Sequence, residues 1–216
     1  MGTVAVDLVL AIDNSPSMWS QATYLLADLE DIEGWSNMDL NVAITSVSVN
    51  PTSGWTSGVD PGEAGTWVGE PAVLNNMSSS EFLYTLRSTL ACQLTCWDND
   101  DEVLSDPTYS GTVGDCSMPD AGVTSEYLDC LCADAYTDPS LSWTTNNICY
   151  SGTEQHMESA ALALCRAVDD PPDTCWDYLP TSQSPEEATG SNSGFLRSGV
   201  KTFVVVVSDA GDQSQR

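Results

Sequence analysis

The chain has 216 residues, which is enough for one ordinary domain with a substantial core but short for two full domains. Against 32 Asp and Glu it carries five Lys and Arg, and the net charge of −27 repels nucleic-acid phosphates and anionic membrane surfaces. We therefore expect no nucleic-acid partner. Since no apolar run reaches the length that a bilayer requires, we also expect no direct membrane insertion of this segment.

The first apolar run, Val4 to Ile12, has the composition of a strand buried on both faces, as in a parallel sheet covered by helices. Asp13-Asn14-Ser15-Pro16-Ser17 follows it directly and delivers one carboxylate and two hydroxyls to the strand end. Ligands of such sheets collect beyond the carboxyl ends of the strands. The loop after Ile12 is therefore a candidate metal-binding loop.

A helix is predicted after this loop, because apolar residues recur at helical spacing from Trp19 to Ile32 and Gly34 is placed to end it. Trp19 is expected to pack in the core, with a wall of the metal site as the alternative. Leu40 to Val49 is rich in β-branched residues and is predicted to be the second strand. Asn50-Pro51 would terminate it.

Glycines and a proline divide the next region, where Thr66–Val68 and Ala72–Leu74 are expected to form a short edge strand. Ser78 and Glu81 form a capping-box pattern that predicts the start of a second helix. Its predicted buried face consists of Phe82, Leu83, Leu86, Leu90 and Leu94.

Residues 96–150 lose periodicity and are predicted to be a Cys-rich insertion within a single domain spanning 1–216. Helical spacing returns between Glu154 and Val168, and residues 169–193 form a second polar loop insertion. The apolar positions of that third helix, which we expect to be buried, are Met157, Ala160, Ala161, Leu164 and Val168. His156 is expected to be a surface or packing residue.

The eight cysteines are even in number, which is typical of structural disulfides. They are Cys92, Cys96, Cys116, Cys130, Cys132, Cys149, Cys165 and Cys175. Zinc is less favoured, because paired Cys-x-x-Cys units are absent and the chain has a single histidine. We expect disulfides that tie the insertion to its flanking helices, and hence a secreted, periplasmic or cell-surface location. A signal peptide would have been removed or would lie upstream.

The last apolar run, Phe203 to Val207, ends in Ser208-Asp209-Ala210-Gly211-Asp212. If this strand lies next to the first, Asp209 is placed beside Asp13 at one edge of the sheet. Two carboxylates and two hydroxyls then converge, all of them oxygen donors for a hard cation. Asp212 is expected to contact the metal ligands without binding the ion itself, or to lie on the surface.

The Asp-x-Ser-x-Ser pattern of Asp13, Ser15 and Ser17 resembles the metal-ion-dependent adhesion site of the von Willebrand factor A family. Ser151-Gly152-Thr153 before a helix resembles the loop that gives the family's threonine, and Asp209 resembles its strand-end aspartate. Asn192 to Asp212 further resembles a secreted bacterial subgroup. The resemblance implies a Rossmann-like, three-layer α/β fold with a mostly parallel central sheet, here incomplete after the fourth strand.

In that resemblance Ser15, Ser17 and Thr153 bind the metal directly, while Asp13 and Asp209 act largely through waters. Mg2+ is the expected ion, with Ca2+ or Mn2+ able to substitute, and an acidic side chain of a partner protein completes its shell. The alternative without a metal is that the residues of the Asp-x-Ser-x-Ser pattern cap the start of a helix and that Thr153 is an N-cap. Thr137, Thr144 and Thr145 are alternative sources of the threonine.

The predicted function is therefore non-catalytic, metal-dependent protein binding or adhesion by a secreted or cell-surface protein. One alternative is a Mg2+-dependent phosphohydrolase of the haloacid dehalogenase type, with Asp13 as nucleophile, although Ser15 stands where such enzymes need a second carboxylate. Another is a structural, disulfide-rich surface module. A serine hydrolase is disfavoured because Gly-x-Ser-x-Gly is absent. We also expect the last strand to present an unpaired apolar edge.

Overall fold

The computed structural model describes residues 4–13, 18–30, 38–47, 49, 64–75, 77–90, 130, 155–180 and 183–209. The strands are β1 (Val4–Ile12), β2 (Met38–Ser46), β3 (Val68–Leu74) and β4 (Lys201–Val207). The helices are α1 (Trp19–Glu30), α2 (Ser79–Thr89), α3 (His156–Arg166), a 3-10 turn (Asp173–Trp176) and α4 (Pro185–Ala188). None of the helices in these ranges is long and apolar enough to cross a membrane.

The four strands form one mixed sheet in the order β3-β2-β1-β4. β1 runs parallel to both of its neighbours, pairing Ile12 with Ser46 of β2 and with Val207 of β4. β3 is antiparallel to β2, with a register shift at Ala43 and Ile44. The predicted α/β class with a mostly parallel sheet is confirmed, and the predicted adjacency of the first and last strands is confirmed as well.

Apolar residues on the two faces of the sheet pack against different helices. Ile12, Val42 and Ile44 belong to a buried cluster with Leu26 of α1 and Leu86 of α2. Val9, Ala43 and Phe195 belong to a second cluster, which includes Ala163 of α3. Because successive side chains of a strand point to opposite faces, these clusters lie on opposite sides of the sheet. The described helices therefore pack on both faces of the sheet at β1 and β2.

The buried side of α3 differs in part from the predicted one: Ala160 is buried as predicted, but Ala161 is exposed. Met157 is 64% exposed, whereas Leu162 and Ala163 are fully buried. The reason is close packing against Gly65, where a Cβ atom would come within 2.4 Å of the Ala163 backbone nitrogen. Gly65 also has a φ of +79°, a conformation that glycine adopts at little cost. This contact turns the small residues of α3 toward the loop that precedes β3.

Two residues join α3 to the loops around it. Asn192 donates from Nδ2 to the carbonyls of Gly65 and Ala163, and its Oδ1 accepts from the Trp67 backbone N–H. Arg166 is 3% exposed and donates to the Ala64 carbonyl, the Ser191 hydroxyl and the Gln183 amide oxygen. Desolvation by burial lowers the pKa of the Arg166 guanidinium from its ordinary value. Neither side chain was assigned a role from the sequence.

Disulfide bonding is confirmed for the cysteines that the structure describes. Cys165 of α3 is bonded to Cys175 of the 3-10 turn, with a Cα–Cα distance of 5.8 Å. Cys130 is also disulfide-bonded. The Cys165–Cys175 bridge fastens α3 to the chain that follows it. It therefore does not tie the 96–150 insertion to this helix, contrary to our expectation for Cys165.

Several predicted boundaries changed. The edge strand is continuous through Gly69 and Pro71, and the described part of the second strand begins at Met38 and ends at Ser46.

As predicted, Ser78 caps α2, because its hydroxyl accepts a hydrogen bond from the Glu81 backbone N–H at 3.3 Å. The polar loop at 169–193 contains α4, which begins with a complete capping box between Ser184 and Glu187. The insertion at 96–150 lies outside the described residues except for Cys130.

An ion-pair cluster fastens the chain ahead of β4 to the amino-terminal halves of β1 and β2. Arg197 donates from Nε to Asp7 Oδ1 at 2.7 Å and from its backbone N–H to Asp7 Oδ2 at 2.9 Å. It also donates to Asp39 Oδ1 at 2.5 Å and to the Val6 carbonyl at 2.8 Å. Burial acts to lower the pKa of Arg197, but hydrogen bonds and negative charge from Asp7 and Asp39 raise it overall.

Candidate metal site at the carboxyl edge of the sheet

Asp13 is held where β1 and β4 end side by side. Its backbone N–H donates to the Val207 carbonyl at 2.9 Å, which continues the β1–β4 ladder by one step. The residue is only 2% exposed, and its Oδ2 accepts a hydrogen bond from the Ser208 hydroxyl at 2.6 Å. A distance of this length is typical of a hydroxyl bonded to a charged carboxylate. The Asp13 carboxylate is thus fixed in place by β4.

The end of β4 supplies two further oxygen-bearing side chains. Ser208 is half-buried beside Asp13, and Asp209 follows it as an exposed residue. Both leave the sheet at the edge where Asp13 lies, because β1 and β4 run in the same direction. Two predicted ligands, Asp13 and Asp209, are therefore at the same edge. Ser208 was missed as a contact of Asp13, although its position before Asp209 at the strand end was a usable signal.

The amino terminus of α3 lies at this same edge. The Val47 N–H donates to the Ile12 carbonyl at 3.0 Å, and the Gln155 N–H donates to the Val47 carbonyl at 3.1 Å. The Ser159 hydroxyl donates to the Ser46 carbonyl at 2.5 Å. These bonds tie the first turn of α3 to the carboxyl end of β2, and the Val47–Ile12 bond places that end beside the end of β1.

The remaining predicted ligands lie outside the described residues. Ser15 and Ser17 belong to 14–17, which follow Asp13 directly, and Thr153 is two residues before Gln155 in sequence. The alternatives to Thr153, which are Thr137, Thr144 and Thr145, also lie outside the described residues. The described neighbours of these segments, Asp13 on one side and Gln155 on the other, are at the same edge of the sheet.

The first turn of α3 buries polar side chains that the sequence did not mark. His156 is 6% exposed and Glu158 3% exposed, so the alternative of a surface position for His156 is wrong. Ser159 is fully buried. Helical periodicity gave no signal for these burials, because it identifies apolar stripes and these residues are polar. Trp19 begins α1, but its side chain is outside the described residues.

The donor chemistry of this edge suits a hard divalent cation. Asp13, Ser208 and Asp209 offer oxygen atoms, the ligand type that Mg2+ and Ca2+ prefer. Within the described ranges no three His, Cys, Asp or Glu side chains come together as a metal-binding group. The predicted set contributes only two residues of those types, and its other members are hydroxyls outside those ranges. The fit therefore rests on Asp13 and Asp209.

No protein-family model, curated protein or solved structure matches the chain. The likeness to the von Willebrand factor A family rests on the sequence pattern at this edge.

Proposed function

We propose that the chain is a metal-dependent protein-binding domain, which holds one divalent cation at the carboxyl edge of its sheet and grips an acidic side chain of a partner through that ion. The observation that supports the proposal is the pairing of β1 with β4, which brings Asp13 and Asp209 to one edge. The buried Asp13 carboxylate bonded to Ser208 adds to it.

The chemistry of binding follows from the charges of the proposed ligands. Ser15, Ser17 and Thr153 would bind the ion directly through neutral hydroxyls, with Asp13 and Asp209 stabilising it through bound water. Few direct protein charges leave Mg2+ electrophilic, so a carboxylate from a partner becomes a favourable sixth ligand. The proposed location is outside the cytosol, in keeping with the disulfide-bonded cysteines.

Titration calorimetry with Mg2+ in moderate salt tests the proposal directly. The unmodified chain should bind one ion, and Asp13→Asn should weaken binding by about 10–100-fold, the usual loss when a group outside the direct ligands is removed. Asp39→Asn is a matched control, because it removes an acid near the opposite end of β1 and β2. Equal affinities for the Asp13→Asn and unmodified chains would contradict the site assignment.

The phosphohydrolase alternative is tested with the same proteins. A binding domain should release no phosphate from simple phosphomonoesters in the presence of Mg2+. Turnover that Asp13→Asn abolishes, while Asp39→Asn leaves it unchanged, would replace the binding function with the hydrolase.

A further inference from the structure

The arginines that the structure describes are committed to contacts within the fold. Arg87 and Arg166 are buried, with 6% and 3% of their surface exposed. Arg197 is half-buried and holds the carboxylates of Asp7 and Asp39. These three residues are most of the positive charge of the chain, which has only five Lys and Arg in all. The surface therefore receives little positive charge from them.

The two other basic residues do not change this at the carboxyl edge of the sheet. Lys201 is exposed, but it begins β4 and lies six residues before Val207, about 20 Å along an extended strand. The Debye length at physiological ionic strength is about 8 Å. Arg216 is the one basic residue outside the described ranges. Apart from Arg216, only a bound ion can therefore supply positive charge at this edge.

Acidic side chains, in contrast, are common on the described surface. Six exposed acids lie between Asp169 and Glu187 alone. One bound Mg2+ would offset only two units of the net charge of −27. The long-range field of the chain therefore stays negative after metal binding, and it repels a carboxylate that approaches from solution until this group is close to the ion.

We propose, resting on the metal-dependent function above, that the partner is a basic protein surface on which lysine or arginine residues flank the acidic side chain that reaches the ion. The carboxylate supplies the metal ligand, and the flanking cations supply the attraction that brings it to the edge. Complementary potentials of this kind raise association rates by about 10–1000-fold, whereas like charges across an interface suppress binding.

The two contributions respond differently to salt. Attraction between the acidic chain and a basic partner acts over long distances, so added salt weakens it. Contact between the carboxylate and the ion acts at short range and is screened much less. A ligand with a basic surface should therefore lose at least about tenfold in affinity between about 0.02 M and about 0.5 M NaCl. A ligand with neutral flanks should change much less.

Fluorescence anisotropy with labelled synthetic peptides and the full chain tests the partner class. The peptides share a central aspartate, which is flanked by lysines, by glycines or by glutamates. With Mg2+ in low salt, the lysine-flanked peptide should bind at least about tenfold more tightly than the glycine-flanked one, and the glutamate-flanked one should bind most weakly. Equal, Mg2+-dependent affinities for the lysine and glycine peptides would overturn the basic partner and leave the metal-dependent function standing.

A fourth peptide, with asparagine in place of aspartate among the same lysines, separates binding through the ion from general attraction to an acidic chain. With Mg2+ it should bind at least about tenfold more weakly than its aspartate counterpart, and EDTA should remove that difference. Asp13→Asn should reduce the difference at the same Mg2+ concentration, whereas Asp39→Asn, near the other end of β2, should preserve it. Equal binding of the two peptides with Mg2+ would contradict the proposed function itself, and the basic partner with it.

Discussion

Replacing Arg197 with leucine removes the cation that faces a fully buried carboxylate. The Asp7 side chain is 0% exposed, and in the variant the backbone N–H of residue 197 remains as a donor to it. Breaking one partner of a buried ion pair costs about 3–5 kcal/mol. Because the Arg197 side chain is itself 25% exposed, water can partly replace it, and we expect the lower value. A loss of about 3 kcal/mol would lower Tm by about 6–12 °C in a chain of this size.

Asp39→Asn is the internal control, because Asp39 binds the same guanidinium from the surface. Its side chain is 55% exposed and accepts from Arg197 at 2.5 Å, while its backbone carbonyl accepts a separate bond at 2.9 Å that survives the substitution. Exposed ion pairs contribute about 1 kcal/mol or less. The two variants should therefore differ in unfolding free energy by about 2 kcal/mol.

Urea unfolding followed by circular dichroism measures these free energies by linear extrapolation. The double variant Asp7→Asn, Arg197→Leu removes both charges, so no carboxylate is left without its cation. Its loss of stability should therefore be smaller than the sum of the losses measured for Asp7→Asn and Arg197→Leu separately. Equal losses for Arg197→Leu and Asp39→Asn, or strict additivity in the double variant, would refute the assigned energetics.

Three further outcomes are expected. Gly65→Ala should prevent stable folding, because the added Cβ would lie 2.4 Å from the α3 backbone. Gly190 has a similar φ with nothing within 4 Å of an added Cβ, so Gly190→Ala should lower the unfolding free energy, measured by thermal unfolding, by only about 1–2 kcal/mol. Cys165→Ser with Cys175→Ser opens a loop of sequence separation 10 and should lower the urea-unfolding free energy by about 2.5–3 kcal/mol. Ser208→Ala should weaken Mg2+ binding in calorimetry by about tenfold, since the Asp13 carboxylate loses its hydroxyl donor. Unchanged affinity would show that the hydrogen bond from Ser208 to Asp13 does not contribute to metal binding.

The sheet was largely predictable because its signals are local. Val4 to Ile12 is apolar except for Asp7, Phe203 to Val207 is apolar throughout, and strands of that composition pair in parallel within covered sheets. Asp13 and Asp209 follow these runs directly, so pairing of the strands was enough to predict their common edge. The cap at Ser78 was also readable, because its partner is three residues away.

The missed features depend on contacts between distant parts of the chain. The buried side of α3 is set by Gly65, nearly one hundred residues earlier, and an alanine-rich helix has small apolar residues on several sides. Nothing local marks Arg166 as buried, since its acceptors come from three separate loops. Nothing local marks a partner for Asp7 either, because Arg197 lies 190 residues later in the sequence.

The position of β1 between β2 and β4 has a consequence for the order of folding. One of the two ladders of β1 is completed only by Lys201–Val207, nearly two hundred residues later in the sequence. Such non-local pairing slows folding, because a long loop must close before the contacts form. An early intermediate would contain β1 with one side unpaired and Asp13 without its Ser208 donor. The edge that carries Asp13 and Ser208 therefore forms late relative to the β1–β2 ladder, and on the proposed function ion binding would report that the β1–β4 ladder has closed.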